Sequence, residues 1–242
     1  MEMVFTKEQQ LLHRVVLHAN DVPARGLFDG QMGIVLVLSE YARARKLHPL
    51  KTAINFLLDQ VLENLSTEMP LDFANGLTGI GWGVEYLLQN KFQRGHGADI
   101  CAAIDDKLMH NNILRQADLT LEKGLEGWLH YIVAHLQGAR LTNRHVFDEI
   151  YLKDCQHICR QILNQNVSSS IKTLCNLYLD MIQGVNSTYS FKLIPFVQSQ
   201  QQNTSLLGLR YGLAGQLLKT LYNNQTKKNS IYYEKVKENC AQ

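Results

Sequence analysis

An all-α fold is predicted: about five helix pairs in an inner and an outer layer around an axis, an α/α toroid or partial toroid, with residues 1–242 as one domain. Three observations predict it. Apolar residues recur at spacings of three and four, as in IVLVLSEYARA (34–44) and INFLLDQVLENL (54–65). Proline is confined to Pro23, Pro49, Pro70 and Pro195, and β-branched alternation is almost absent. A Gly-x-x-Gly pair also heads four helix-like runs: Gly30 and Gly33, Gly76 and Gly79, Gly124 and Gly127, Gly212 and Gly215.

The first glycines lie 46, 48 and 88 residues apart, the last interval being twice 44, so a degenerate unit is expected near 168, where serines stand for glycines in NVSSSIKTLCNLYLDMI. A period in the mid-forties holds two helices of about four turns with their connections. The predicted pairs are 5–19 with 30–45, 51–65 with 77–91, and 98–114 with 124–138. Two more follow, 145–164 with 168–183 and 190–202 with 211–223, and a terminal helix at 230–239 caps the last pair. The second helix of each pair is the more apolar, which assigns it to the inner layer and its amphipathic partner to the outer. Glycine costs about 1 kcal/mol against alanine within a helix, so the pairs need a reason. The first glycine is expected to let the loop turn sharply into the helix, and the second to let a neighbouring backbone come close.

Formal charge is +2 with acidic and basic residues interspersed, which leaves no electrostatic footprint for nucleic acid. No apolar run reaches the roughly 18–20 residues of a membrane span. The opening MEMVFTKEQQLLHRVVLHAN reads as no signal peptide, so a cytoplasmic location is expected. Cys101, Cys155, Cys159, Cys175 and Cys240 are odd in number and scattered, which fits reduced thiols better than a disulfide framework. Cys155 and Cys159 share a helical face and form either half a metal site or two small packing residues, with His157 pointing away.

The pattern Gly-Leu-x-x-Gly-x-x-Gly-Ile, with its Gly-x-x-Gly core repeated at the heads of inner helices, resembles the lanthionine synthetase C-like (LanC-like) family over residues 26–223. The resemblance implies a toroid with zinc where the inner helices' amino ends converge, and thioether cyclisation of dehydrated peptides. Asp72-Phe-Ala-Asn75-Gly76-Leu-Thr-Gly79-Ile80 resembles the family segment whose aspartate is implicated in catalysis, so Asp72 is either catalytic or a loop cap. Elsewhere the chain departs from the family. Lys123 stands before Gly124 where cyclases place a histidine, and a lysine titrating near 10.4 is a poor general acid or base. Arg210, in Leu209-Arg210-Tyr211-Gly212, occupies the place of a zinc-binding cysteine, and no Cys-His dipeptide supplies the remaining ligands. No metal site and no zinc or other cofactor are therefore expected, since a catalytic zinc needs about three protein ligands.

Arg25, Asp29, Asn75, Lys123, Glu126, Arg210 and Tyr211 are expected at the mouth formed by the inner helices' amino ends. There they either solvate the rim or line a polar pocket tolerant of anions, favoured by the partial positive charge and free N–H groups of helix N-termini. The reading that follows is a zinc-free, non-cyclising relative that binds a peptide, a small ligand or a peptide-modifying enzyme in peptide natural-product maturation. Two alternatives stand beside it. One is a carbohydrate-active toroid using paired carboxylates among Asp29, Asp72 and Glu126. The other is a metal-dependent cyclase recruiting its ion through Cys155, Cys159 or Cys175. An open toroid would expose apolar edges for a terminal cap or for a partner chain, a homodimer included.

Overall fold

The computed structural model describes residues 5–63, 65–66, 68–198 and 206–224. These form ten α-helices, and there is no strand among the described residues. The first four are α1 (Lys7–His18), α2 (Gln31–Arg45), α3 (Leu50–Glu63) and α4 (Leu77–Gln89). After the short α5 (Gly97–Ile100) and α6 (Ala102–Met109) come α7 (Leu125–Thr142), α8 (Glu149–Leu163), α9 (Ser169–Ile182) and α10 at 213–224. No helix among the described residues is long and apolar enough to cross a membrane.

The helices start in two ways. α1, α8 and α9 begin with side-chain caps: Thr6 in a capping box with Gln9, Asp148 accepting from the Tyr151 N–H, and Ser168 accepting from that of Ile171. α2, α4 and α7 instead begin at Gly30, Gly76 and Gly124, and no side chain caps them. Their first N–H is met by the chain itself. Gln31 donates to Ala24, Leu77 to Pro70 and Leu125 to Asp118, and in α10 Leu213 donates to Leu206, each reaching a carbonyl seven residues back at 2.8–2.9 Å. Four loops that share little beyond the motif glycines thus share one geometry.

The motif glycines make that geometry fit. Gly30 sits at φ −114° and ψ −174°, extended backbone open to any residue, so the expected sharp turn is not what selects it. What matters is the missing Cβ. A Cβ on Gly33, Gly79, Gly127 or Gly215 would lie 1.9–2.3 Å from the carbonyl oxygen six residues back, which is Leu27, Phe73, Leu121 and Leu209 in turn. The backbone that comes close is therefore first of all the unit's own loop.

The same loop residues reach the next unit. Leu27 packs on Gly79, Phe73 on Gly127, and Leu209 on Gly33. Beside these contacts runs a ladder of one backbone hydrogen bond per loop, always at the residue two before the first glycine. Arg210 donates to Phe28 (3.0 Å), Phe28 to Ala74 (2.7 Å) and Ala74 to Glu122 (3.0 Å). The last motif thus lies beside the first. α2 then packs on α4, α4 on α7 and α7 on α9, while α3 covers α2 and α8 covers α9. α1 closes against both ends of the chain: Glu8 pairs with Arg45, accepts from Tyr41 of α2 and accepts from Asn224 of α10.

Burial follows the layers in part. α4 is buried from Leu77 through Leu87, and α2 and α7 are buried on most sides, whereas α1, α3 and α8 bury one stripe each. α9, expected to be an inner helix, buries only Ile171, Leu174, Cys175, Tyr178 and Met181 and is as amphipathic as its partner.

Two predicted helices differ from the structure. Residues 98–114 break at Cys101 and His110 into α5, α6 and a 3-10 turn at Ile113–Arg115. The break lets buried Gly97 approach Glu85 of α4 so closely that a Cβ there would overlap the carboxylate. Within 190–202, the described residues to 198 hold only a 3-10 turn at Ile194–Phe196, with Pro195 inside it. Their aromatic side chains all turn inward as the chain crosses the helices. The predicted helix at 230–239 lies outside the described residues.

Gly79→Ala places a methyl group on the Phe73 carbonyl and is expected to cost about 3 kcal/mol or more in a urea titration, as overpacking against rigid backbone does. Gly83→Ala meets only the flexible end of Met32 and is expected to cost clearly less.

Candidate functional site

The motif loops bring the sequence-predicted residues to one end of the helices. Directly before the first glycines stand Asp29, Asn75, Lys123 and Tyr211, all exposed. One step earlier stand Phe28, Ala74, Glu122 and Arg210, the ladder residues. The side chains are largely engaged with one another. Asn75 accepts from the Asp29 N–H (3.1 Å) and donates to the Asp29 carboxylate (2.9 Å). Arg210 pairs with Glu122 at 2.5 Å and lies over the Phe28 ring, 4.6 Å from its centroid. Tyr211 donates to Gln198 (2.9 Å), Glu126 accepts from Ser170 (2.5 Å), and Arg25 donates to the Val22 carbonyl (3.3 Å).

The half-buried Asp72 carboxyl is pushed above its ordinary value chiefly by burial; the Lys123 ammonium pulls it back and the Asp118 carboxylate adds to the rise. Lys123 thus serves here as a charge beside Asp72.

This end differs from the anion seat that the sequence suggests. The leading N–H of α2, α4, α7 and α10 is taken by the loop carbonyls, and the Arg210 charge is met by Glu122. Buried Nε and Nη1 of Arg210 have no hydrogen-bond partner among the described residues, so part of the guanidinium's donor capacity is unused.

Behind the loops the interior is filled by residues 185–198, a strap without α-helix, of which the sequence assigned 190–198 to a helix. Its Phe196 packs against Phe28, Phe73, Trp82 and His130 with ring centroids 5.3–5.9 Å apart. Phe191 lies against Trp82 and Tyr86. The Tyr189 hydroxyl accepts from Trp82 Nε1 (2.8 Å) and meets His130 Nδ1 (2.6 Å). Burial pulls His130 down to about 4, so it is neutral near pH 7 and the Tyr189 hydroxyl donates to its Nδ1.

Between this strap, α7 and α9 opens a groove of about 480 Å³. Leu174, Leu177 and Phe196 line its apolar side, and Glu126, Ser170 and Lys192 its polar side. Of the sequence-predicted residues it contains Glu126. Asp29 lines a separate cavity of about 570 Å³ with Asp21 and Leu213, and Arg25, Asn75, Lys123, Arg210 and Tyr211 do not line the groove.

A second titratable cluster, missed by sequence reasoning, is sealed between α4, α6 and α7. His135 bridges two carboxylates, Nδ1 to Glu85 (2.7 Å) and Nε2 to Asp105 (2.8 Å). Tyr131 donates to Asp105 (2.5 Å) and Gln89 to Glu85 (2.6 Å). Gly97 and Gly138 flank the Glu85 carboxylate where any side chain would collide with it. Burial alone opposes charge on His135, but hydrogen bonds and charges from Asp105 and Glu85 outweigh it and raise the imidazole to about 9. With His135 fully buried, the cluster holds helices together and has no route to a substrate.

The cysteine-based metal alternative finds no support in the packing. Cys155, Cys159 and Cys175 are buried between α8 and α9, and no group of three metal-binding side chains occurs among the described residues. Cys240 lies outside them. In comparisons with known proteins, no family model, curated protein or solved structure matches the chain.

His135 supplies a pH test. Its folded value of about 9 exceeds the ordinary 6.5, so its contribution to stability is whole below about pH 6.5 and is lost as pH rises through about 9. Urea midpoints are expected to fall between about pH 6.5 and 9 in the natural protein and to change less in His135→Gln. Glu85→Ala, which unpairs one side of the buried imidazolium, is expected to cost about 3–5 kcal/mol.

Proposed function

We propose that the chain is a LanC-like protein that works without zinc and without cyclising, holding an extended peptide segment in the groove between α7, α9 and the strap. The observation that carries this reading is the strap. A helix-free run of the chain already lies across α4 and α7, inserting aromatic side chains between helices and satisfying Trp82 and His130 through one hydroxyl. The adjoining groove offers a second such run the same kinds of contact. It has an apolar wall at Leu174 and Leu177, hydroxyls at Ser170 and Thr173, and opposite charges at Glu126 and Lys192 to set direction.

Two further features support the family reading. The motif loops stand in a common register with the last beside the first, as a closed α/α toroid requires. Arg210, in the place of the zinc-binding cysteine, is held by Glu122 and Phe28, so a fixed cation occupies the position where the family keeps its ion. The role that fits is recognition in peptide maturation, as the carrier of a precursor peptide or the partner of a modifying enzyme.

Fluorescence anisotropy with a panel of labelled decapeptides, both unmodified and containing dehydrated serine or threonine, tests this. A subset is expected to bind, and Leu177→Arg and Lys192→Glu are each expected to weaken that binding about tenfold with helicity unchanged. Binding indifferent to both substitutions, or absence of binding across the panel, overturns the reading. One zinc per chain by elemental analysis of the purified protein overturns its metal-free part.

A further inference from the structure

At the opposite end from the motif loops, beyond the carboxyl ends of α2 and α4, two contiguous cavities of about 320 and 540 Å³ share Lys51, Asn55, Lys91, Phe92 and Gln93. Five cationic side chains line them: Arg43, Lys46, Lys51, Lys91 and Arg94. His48 adds a titratable ring, and no carboxylate lines either cavity among the described residues. Lys46, Lys51, Lys91 and Arg94 have no ion pair among the described residues. In a chain whose formal charge is only +2, this is a strong local concentration.

Ordinary helix electrostatics accounts for part of it. Cations at the end of α2 face the negative end of its dipole, which covers Arg43 and Lys46. It does not cover Lys51, which stands in the first turn of α3, the positive end, where a cation is disfavoured. Nor does it account for the choice of residue at two helix ends. Lys46 and Lys91 adopt φ of 55° and 60°, left-handed conformations that glycine or asparagine takes more easily. The corresponding position after α7 is filled by Asn143, at φ 52°. Both lysines that accept the less favourable backbone line these cavities.

The cradle is also shaped in advance. Arg43 lies over the Phe92 ring, 3.4 Å from its centroid, and donates to the Asn90 carbonyl, which fixes its guanidinium. Gln93 donates to Asn55 at 2.8 Å, tying the loop after α4 to α3. Like charges lining one pocket repel one another, and a compact polyanion relieves that repulsion.

We propose that this pocket binds a phosphate chain, either inorganic polyphosphate or the phosphate tail of a nucleotide. Lys46, Lys51, Lys91 and Arg94 supply the neutralising charge and Arg43 the fixed donor. The size of the cavities and the number of cations fit several linked phosphates better than a single one. The site is separate from the peptide groove and does not depend on it.

Isothermal titration of the full chain in magnesium-free buffer with inorganic tripolyphosphate, a nucleoside triphosphate and orthophosphate tests the assignment. Tripolyphosphate is expected to bind well above orthophosphate. The double variant Lys51→Gln/Lys91→Gln is expected to weaken it at least about tenfold, and added salt to weaken it further. Equal binding of the nucleoside triphosphate assigns recognition to the phosphate chain alone, and tighter binding assigns the natural source to nucleotides. A control variant, Lys153→Gln/Arg160→Gln, removes two exposed cations elsewhere and is expected to leave binding unchanged. Failure of both polyphosphate probes to bind overturns the proposal, as does equal weakening by the control. An RNA oligonucleotide bound more tightly than tripolyphosphate also overturns it, because the cations would then serve an extended surface.

Discussion

The whole arrangement depends on one steric exclusion: the fourth residue of each motif must have no side chain. With a Cβ at Gly33, Gly79, Gly127 or Gly215, the carbonyl six residues back could not sit on the first turn of the helix. The loop would then lift away, its carbonyl seven back would leave the first N–H of the helix unmet, and an orphan donor would be buried. The ladder from Arg210 through Phe28 and Ala74 to Glu122 stands on those same loops. Helix starts, loop register and neighbour order thus follow from one small volume kept empty four times.

That exclusion also decides what chemistry remains at this end. Loops folded down on their own helices take up the leading N–H of α2, α4, α7 and α10, one of the groups that would otherwise attract an anion. The charges above them pair locally, Arg210 with Glu122 and Lys123 beside Asp72. Positive charge without an ion pair among the described residues lies instead at the other end, beyond α2 and α4.

Much of this was legible in the residues, and the parts that were not have identifiable causes. The glycine spacing located the starts of α2, α4, α7 and α10 because the same steric demand recurs locally in each unit. The serine-bearing unit near 168 was also found, although Ser168 caps its helix by a different device. Residues 98–114 were read as one unbroken helix, and 190–198 as helix at all, because their shape is imposed from outside, by Glu85 against Gly97 and by the cavity that Phe191 and Phe196 fill. The network of Glu85, Asp105 and His135 joins positions up to fifty residues apart, which no local pattern reveals. One sign was present: Glu85 is the only charged residue in α4, a helix otherwise buried nearly throughout. The basic pocket was not legible because its residues come from two distant segments, 39–55 and 91–94, and carry no motif.

The contact between the loops at Phe28 and Arg210 has a consequence for how the chain reaches its native state. During synthesis the first motif loop emerges early, yet one of its two lateral neighbours is made some 180 residues later. Until then Gly33 faces solvent where Leu209 will lie, and the Phe28 carbonyl lacks its donor. Contacts of such long sequence separation close slowly because the intervening chain must be ordered first. The nascent protein therefore carries an unsealed flank through most of its translation, and protection of that flank by chaperones is a natural demand of this topology.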